Sequence, residues 1–482
     1  MTIPLALRPA LLVTLVSACL FTSCEKEYNP DTVPLSNLPA TNQEVNNWIL
    51  TNMRYYYLWN DKIPANTDTT LTPDKYFLSL LYDRNNSANR DRDRFSWIQA
   101  SADELKASLG GQSKTTGMDY KLYYFDQART TIAGSVIYVL PGSPAAAAGF
   151  KRGDIFTKVN GQALTTDTYS SLLAGDVLTF TMGTLVNGVP TDANQTRQVT
   201  KVVFQEDPVL LDTVYTIGAK KIGYVVYNQF NPGVYKSSGP TDKTYDNKLD
   251  NVFGEFKQQG VNELVLDFRY NPGGYVSSSN NLASLVGKNI AGKVYYTQLW
   301  NPKVTADYDK KYNPGWNTQN FITKATNIGG NLNRVFILTT GSTASASELV
   351  INGLRPFMTV TTIGNTTVGK NVGSITISDA NGRIKWGMQP LTFKSANSQG
   401  FTDYPTGFAP AVEVREPAYA MKAFGDLSEP LLGEAIYQIS GTRTTARRGV
   451  ITNENFIEAG SSLDQKAGGG NMFVDMTDKP VK

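Results

Sequence analysis

GSTASASELV, residues 341–350, is the stretch that decides the fold. It follows an apolar segment over 335–340 that is typical of a β-strand, and it opens a helical pattern. A serine at such a strand-to-helix junction is a candidate nucleophile, and Ser345 is the middle serine of the run. The junction therefore predicts an α/β layer structure and also the position of a reactive side chain.

The chain around this junction alternates between strand and helix patterns. Short apolar segments at 221–227, 263–268 and 358–363 predict strands, and apolar residues at helical spacing up to Gly260 predict a helix between the first two. Such alternation predicts a largely parallel sheet.

The sequence contains no histidine, and its two cysteines, Cys19 and Cys24, both lie near the N-terminus. This composition excludes a Ser-His-Asp triad, histidine-containing zinc sites and imidazole acid–base catalysis. It also excludes thiol catalysis beyond the first residues. A serine nucleophile must then be activated by a lysine or a carboxylate. A lysine can act as the base when burial or a cationic neighbour lowers its pKa.

Lys370 is the lysine whose surroundings fit that requirement. It follows an apolar strand, and residues 368–373 around it are mostly valines and glycines, so we expect it to be desolvated. Structural interpretations compete with this one. Ser345 and Glu348 match a capping box, and Lys370 alone would be a surface lysine beside a turn.

Two segments, Thr343-Ala-Ser-Ala-Ser-Glu348 and Ile363-Gly-Asn-Thr-Thr-Val-Gly-Lys370, resemble the signature of the C-terminal processing, or tail-specific, serine peptidases. In that family the middle serine is the nucleophile and the lysine 25 positions further on is the base, and the separation is the same here. The resemblance implies a Ser345/Lys370 dyad that hydrolyses peptides with neither a metal nor an organic cofactor. It also implies a ClpP/crotonase-like core.

The loop Asp267-Phe-Arg-Tyr-Asn-Pro-Gly-Gly274 resembles a third part of the family signature. In the family, a glycine amide of this loop and the amide after the serine form the oxyanion hole, which implies Ala346 with Gly273 or Gly274 here. Backbone amides can stabilise the charge that develops in the transition state. Arg269 is interpreted as a structural ion-pair partner of a nearby carboxylate rather than as a substrate contact.

Residues 135–161 contain a second ordered set of turn signals. A strand pattern is followed by Pro141-Gly-Ser-Pro144, a run of alanines, a Gly-Asp pair and a strand that closes in Asn-Gly. This order resembles a PDZ domain of the bacterial protease-associated kind. The resemblance implies that an extended polypeptide is added as a strand, with its terminal carboxylate near Gly117, Met118 and Asp119.

Two positions depart from the peptidase pattern. Many family members have a glutamine four residues after the lysine as an orienting group, but Ser374 occupies that position, so its hydroxyl is a candidate for the role. Thr343 replaces the first serine of the signature. The change at Ser374 leaves a second hypothesis open, that of a catalytically weak or inactive lipid-anchored PDZ scaffold that binds peptides.

The N-terminal residues MTIPLALRPALLVTLVSACLFTSCEKE contain an apolar stretch shorter than a membrane span, followed by small residues and cysteine. They predict a secretory signal and resemble a bacterial lipoprotein signal. Polar residues follow Cys24 whereas apolar residues follow Cys19, so Cys24 is the preferred lipidation site. We expect a lipid-anchored protein of the bacterial cell envelope, on the outer membrane at its periplasmic or surface face.

The predicted organisation is a multidomain α/β protein. The predicted units are a signal peptide (1–23), a tether (24–41), an N-terminal helical domain (42–110), a PDZ domain (112–206), a peptidase domain (207–442) and a polar, loosely held tail (443–482). The 45 basic and 42 acidic residues nearly balance, which gives no reason to expect nucleic acid. The predicted partners are a polypeptide substrate, bound through its C-terminal end, and the membrane.

Overall fold

The structure is a computed structural model and describes residues 39–237, 242–443, 456–466 and 472–474. The predicted signal peptide and its candidate lipidation site Cys24 lie outside these residues. Within the described ranges, no helix is both long and apolar enough to cross a membrane.

The first unit is mainly helical, as the spacing of its apolar residues predicts. Val45, Ile49 and Met53 recur every four residues on one helical face, and all three are buried. Thr41 caps the first helix in a capping box with Glu44. The elements are α1 (Asn42–Tyr56), α2 (Pro73–Ser79), β1 (Trp97–Gln99) and α3 (Ala102–Leu109).

The second unit is β-rich, as the sequence predicts, and an apolar core lies between its sheet and its helices. Ser143 caps a short helix that has proline at its first position, which is the turn that the sequence predicts. The elements are β2 (Gln112–Thr115), β3 (Met118–Tyr124), β4 (Thr131–Val139), α4 (Pro144–Ala147), β5 (Ile155–Val159), β6 (Gln162–Thr165), α5 (Tyr169–Ala174), β7 (Val177–Val186), β8 (Val189–Thr200) and β9 (Val202–Gln205).

The third unit alternates strands and helices. Its elements are β10 (Val209–Ile217), β11 (Lys220–Tyr227), α6 (Thr244–Gln259), β12 (Glu263–Asp267), β13 (Gly274–Tyr275), α7 (Val276–Val286), β14 (Val294–Trp300), α8 (Pro302–Lys311), β15 (Thr318–Asn320), β16 (Arg334–Thr339), α9 (Ala346–Leu354), β17 (Thr359–Gly364), β18 (Val372–Ile375), β19 (Ile377–Ser378), β20 (Gly387–Gln389), β21 (Leu391–Asn397), β22 (Val412–Glu413) and α10 (Pro430–Ser440).

The tail contains two described strands, β23 (Ile457–Ser461) and β24 (Met472–Val474). The expectation of a loosely held tail over 443–482 is therefore wrong for these two segments. Met472 and Phe473 are buried, and burial of their apolar side chains stabilises β24. The polar residues around this short strand give no sign of it in the sequence. The other predicted domain boundaries stay predictions.

Two sheets of the third unit position the site. One has the order β10-β11-β12-β16-β17-β22, and it is parallel apart from the β10–β11 hairpin. The segments after β12, β16 and β17 therefore leave from the same edge, where ligands bind in such sheets. The other sheet is mixed and has the order β13-β24-β18-β21-β14-β15. This architecture confirms the multidomain α/β prediction.

Candidate active site

Ser345 lies at the junction between β16 and α9, in a strained backbone conformation. Its φ is +63° and its ψ is −111°, a combination that residues other than glycine rarely adopt. The side chain is buried and faces the start of α9 as in a capping box, but Oγ has no hydrogen-bond partner of normal geometry among the described residues. The Ser345 hydroxyl at this turn is therefore not used in a capping hydrogen bond of normal geometry.

Glu348 links the serine to the lysine. Its Oε2 accepts hydrogen bonds from the Ser345 amide and the Lys370 amide, each at 2.8 Å. Because both amides donate to the same oxygen at 2.8 Å, the Ser345 and Lys370 amide nitrogens are at most 5.6 Å apart. Its Oε1 accepts from the Gly369 amide at 2.7 Å and from the Thr367 hydroxyl. The carboxylate that completes the helix cap thus also fixes the lysine turn against the serine.

Lys370 is fully buried. Burial lowers the pKa of its ammonium well below the ordinary lysine value, although the charges of Asp93 and Glu348 act in the opposite direction. Its Nζ lies 4.7 Å from the centre of the Phe95 ring. The expectation of a desolvated lysine therefore agrees with the position of this side chain.

The first unit contributes residues that the sequence analysis missed. The charged run 84–94 predicts a solvated turn, yet Asp93 is buried and the Arg94 guanidinium donates to the Gly369 carbonyl at 2.8 Å. Phe95 follows directly and covers the Lys370 amine. The only sequence signal was an aromatic residue at the end of a charged run, which does not indicate a partner 275 residues away.

The two glycines proposed for the oxyanion hole differ in their contacts. The Gly273 amide donates to Oδ1 of Asn271 at 2.9 Å and is already engaged. Gly274 has φ +134°, and a Cβ there would lie 2.1 Å from the Phe230 carbonyl oxygen, so only glycine fits. Ala346 is the first residue of α9, where amides have no partner within the helix. These contacts favour Gly274 over Gly273 as the partner of Ala346.

Ser374 lies in β18, and its hydroxyl donates to the Met472 carbonyl at 3.3 Å. Met472 belongs to β24 of the tail. This contact gives the lysine-orienting role no support, and that role stays a prediction.

The predicted carboxylate loop of the PDZ domain contacts the tail. The Asp119 carboxylate pairs with the Lys466 ammonium at 2.9 Å and accepts from the Ser462 hydroxyl at 2.7 Å. Gly117 has φ +78°, and Met118 is buried. The loop predicted to hold a peptide carboxylate therefore contacts the tail of the chain itself. Binding of a substrate carboxylate at this loop stays a prediction.

Arg269 has the structural role that the sequence analysis favours. It is buried and pairs with Asp267 at 2.7 Å, Glu429 at 2.7 Å and Glu416 at 2.9 Å. Its donors are therefore used by carboxylates of the protein itself.

The fold combines a helical unit, a β-rich unit and an α/β unit in which a serine lies at a strained strand-to-helix turn. Comparison with protein families gives the particular family. Residues 221–404 match the family described as "Peptidase family S41". Residues 44–97 match the S41 N-terminal domain, and residues 135–181 match a PDZ domain. The chain thus contains a peptidase family S41 domain together with an S41 N-terminal domain and a PDZ domain.

Relatives and a solved structure agree with this assignment. The chain is 26% identical over 242 residues to a carboxyl-terminal-processing protease of Picosynechococcus and 25% identical over 301 residues to the carboxy-terminal processing protease CtpA of Bacillus subtilis. The matches cover 49% and 61% of this chain, and 50% and 56% of those relatives. The crystal structure of an S41 protease from Bacteroides fragilis has 26% identity and a TM-score of 0.67, and covers 85% of this chain and 99% of that one.

Proposed function

We propose that the chain is a serine endopeptidase of the C-terminal processing type, in which Lys370 activates Ser345 and the PDZ domain helps to recognise the C-terminal end of a polypeptide. The observation that carries the proposal is the shared Oε2 of Glu348, which holds the backbones of Ser345 and of the buried Lys370 together.

The mechanism follows from the residues present. The neutral Lys370 amine removes the Ser345 proton as Oγ attacks the peptide carbonyl, and the amides of Ala346 and Gly274 stabilise the oxyanion. The lysine ammonium then protonates the leaving amine, which leaves an acyl-enzyme. Water, activated by the same lysine, hydrolyses the acyl-enzyme and restores the serine.

The test combines casein digestion with labelling by a serine-reactive fluorophosphonate. Ser345→Ala and Lys370→Ala should each abolish casein fragments and label while leaving the thermal unfolding transition cooperative. Two matched controls should keep full activity: Ser342→Ala, which removes a neighbouring hydroxyl, and Lys310→Ala, which removes an exposed lysine. Undiminished cleavage by Lys370→Ala would refute the dyad. A folded wild-type protein that neither cleaves nor labels would favour the alternative of an inactive PDZ scaffold.

We also propose that an acyl chain on Cys24 anchors the protein to the bacterial cell envelope, with the N-terminal residue pattern as support. Metabolic labelling with an alkyne fatty acid tests this. Cys24→Ser should lose both the label and membrane fractionation, whereas Cys19→Ser should keep both. Absence of label on the wild-type chain would contradict lipid anchoring.

A further inference from the structure

The tail strand β24 lies between the two segments that carry the site. On one side Met472 pairs with Gly274 and Phe473 pairs with Tyr275, in parallel register. On the other side Phe473 pairs with Ser374 of β18, which begins two residues after Lys370. A segment of the chain itself therefore fills the gap between the candidate oxyanion loop and the lysine turn.

The backbone of Gly274 faces this strand. Phe230 donates to the Gly273 carbonyl and accepts from the Tyr275 amide, each at 2.8 Å. Successive peptide groups of a strand point to opposite edges, so the Gly274 amide and carbonyl point away from Phe230 and toward β24. The amide that suits the oxyanion hole thus belongs to the edge on which a peptide strand already lies.

Phe473 occupies an apolar pocket that is made by two units. It is buried with Leu105 and Leu109 of α3, and its ring centre lies 4.2 Å from that of Tyr275 in an edge-to-face arrangement. Rings in such contacts gain about 1 kcal/mol beyond the burial of their area. The pocket therefore suits a large aromatic or apolar side chain.

The preceding tail segment lies on the PDZ domain. Strand β23 pairs antiparallel with β3, from Ile457 opposite Tyr124 to Ser461 opposite Lys121. It thus runs toward the loop at the start of β3, as a peptide added to a PDZ sheet edge does. Beyond it, the half-buried Lys466 ammonium pairs with the carboxylates of Asp119 and Glu206, each at 2.9 Å.

We propose that β24 marks the substrate strand of this peptidase, that the pocket of Leu105, Leu109 and Tyr275 is a subsite for an aromatic or large apolar substrate residue, and that Phe473 occupies it until a polypeptide displaces the tail. The inference rests on the proposed function because it names the substrate class of the same site. The tail is a tethered competitor, and tethering gives it a high effective concentration at the cleft.

Peptide binding tests the proposal without requiring catalysis. The protein is the full chain with Ser345→Ala, and the probe is a fluorescein-labelled heptapeptide of sequence GNMFVDM, which copies residues 470–476. Fluorescence anisotropy measures its affinity. Adding Phe473→Ala should tighten binding at least about tenfold, because the tethered competitor no longer fills the pocket. Ile457→Ala, which changes an exposed tail residue, should leave the affinity unchanged.

The subsite has its own test in the Ser345→Ala, Phe473→Ala chain. Leu109→Ala should weaken binding of GNMFVDM about tenfold, because it removes wall atoms that contact the aromatic ring. The same change should have little effect on GNMAVDM, which lacks the ring. If Phe473→Ala disturbs folding, Phe473→Leu is used in its place. Because leucine fills the pocket less well than phenylalanine, this variant should bind the peptide more tightly than the chain that retains Phe473.

Equal affinity with and without Phe473→Ala would overturn the proposal, as would equal loss of both peptides in Leu109→Ala. Failure of the proposed function is a separate result, because it appears as absent casein cleavage and absent fluorophosphonate label while peptide binding is still measurable.

Discussion

At the scale of single residues, Glu348 contributes most to the geometry of the site. It is buried, and each of its two oxygens accepts two hydrogen bonds from the segments that carry the serine and the lysine. Burial raises the pKa of this carboxyl, whereas the hydrogen bonds from Thr367 and from three backbone amides act against that rise. One side chain thus holds the two candidate catalytic segments in register.

Glu348→Gln should reduce both stability and activity. The glutamine NH₂ group would face two donors where the carboxylate oxygen accepted two hydrogen bonds, and a buried donor without a partner costs about 1–3 kcal/mol. We expect a loss of about 2–4 kcal/mol in the free energy of unfolding by urea. We expect kcat for casein to fall more than KM changes.

Glu255→Gln, which changes an exposed glutamate on α6, is the control and should alter neither quantity. If Glu348→Gln matches the wild type in both stability and kcat, the proposed clamp does not exist.

The sequence was informative at this scale wherever chemistry is encoded locally. Ser345 and Lys370 could be singled out because a histidine-free chain leaves few candidate bases and because the two motifs resemble one family. The preference for Gly274 over Gly273 could not be predicted, since it depends on Asn271 occupying one amide. Their catalytic roles stay predictions.

At the scale of elements, the segment between α2 and β1 extends the site beyond the third unit. The Phe95 ring covers the Lys370 amine, and Arg94 donates to the carbonyls of Gly369 and Pro405. The charged residues before it predict solvent exposure, and nothing in their local pattern indicates the long-range partner. The tail strand β24 was missed for a similar reason. Three residues among polar neighbours are too few to show the alternation of apolar and polar side chains that predicts a strand.

Phe95→Ala should change the pH dependence of activity. Catalysis needs the neutral amine, so kcat/KM falls as pH decreases through the pKa of Lys370, which burial lowers. Water admitted by the smaller side chain raises that pKa toward its ordinary value, so the acidic limb should move to higher pH. Loss of the ring's attraction for the cation acts the other way, but it amounts to only about 1–2 kcal/mol.

The measurement is a pH profile of kcat/KM for casein cleavage, with Phe95→Leu as a variant that restores most of the apolar cover. Phe401→Ala, which removes a partly exposed ring, is the control. An acidic limb that stays in place or moves to lower pH in Phe95→Ala would contradict the covering role.

At the scale of the whole molecule, the PDZ domain is joined to the third unit through buried charge. The Glu416 carboxylate pairs with Arg152 of the PDZ domain and with Arg269 of the third unit. Burial alone would raise the pKa of Glu416, but the two guanidinium groups hold it at about 2. The order of the units was predictable from sequence motifs, whereas this junction joins residues more than 100 positions apart.

Glu416→Gln should remove a pH-dependent part of the stability. A carboxyl with a lowered pKa stabilises the folded state above its unfolded pKa, and that contribution disappears as pH falls toward its folded value. The wild type should therefore lose about 3 kcal/mol between about pH 5 and pH 2, and the variant should lack this loss. At pH 7 the variant should be less stable by about 3 kcal/mol.

Urea unfolding at a series of pH values measures both effects. Glu413→Gln, which changes an exposed carboxylate that pairs with the exposed Arg415, should follow the wild type. Parallel pH curves for Glu416→Gln and the wild type would show that Glu416 does not carry this linkage.

The conformation of Ser345 has a consequence for trapping a complex with substrate. Alanine at this position removes the hydroxyl but retains a Cβ at φ +63°, so the unfavourable backbone energy of about 1–3 kcal/mol persists. Ser345→Gly removes both, and we expect its melting temperature to exceed that of Ser345→Ala. Loss of the nucleophile would then accompany a gain in thermal resistance, which makes the glycine form the more robust choice for crystallising a bound peptide.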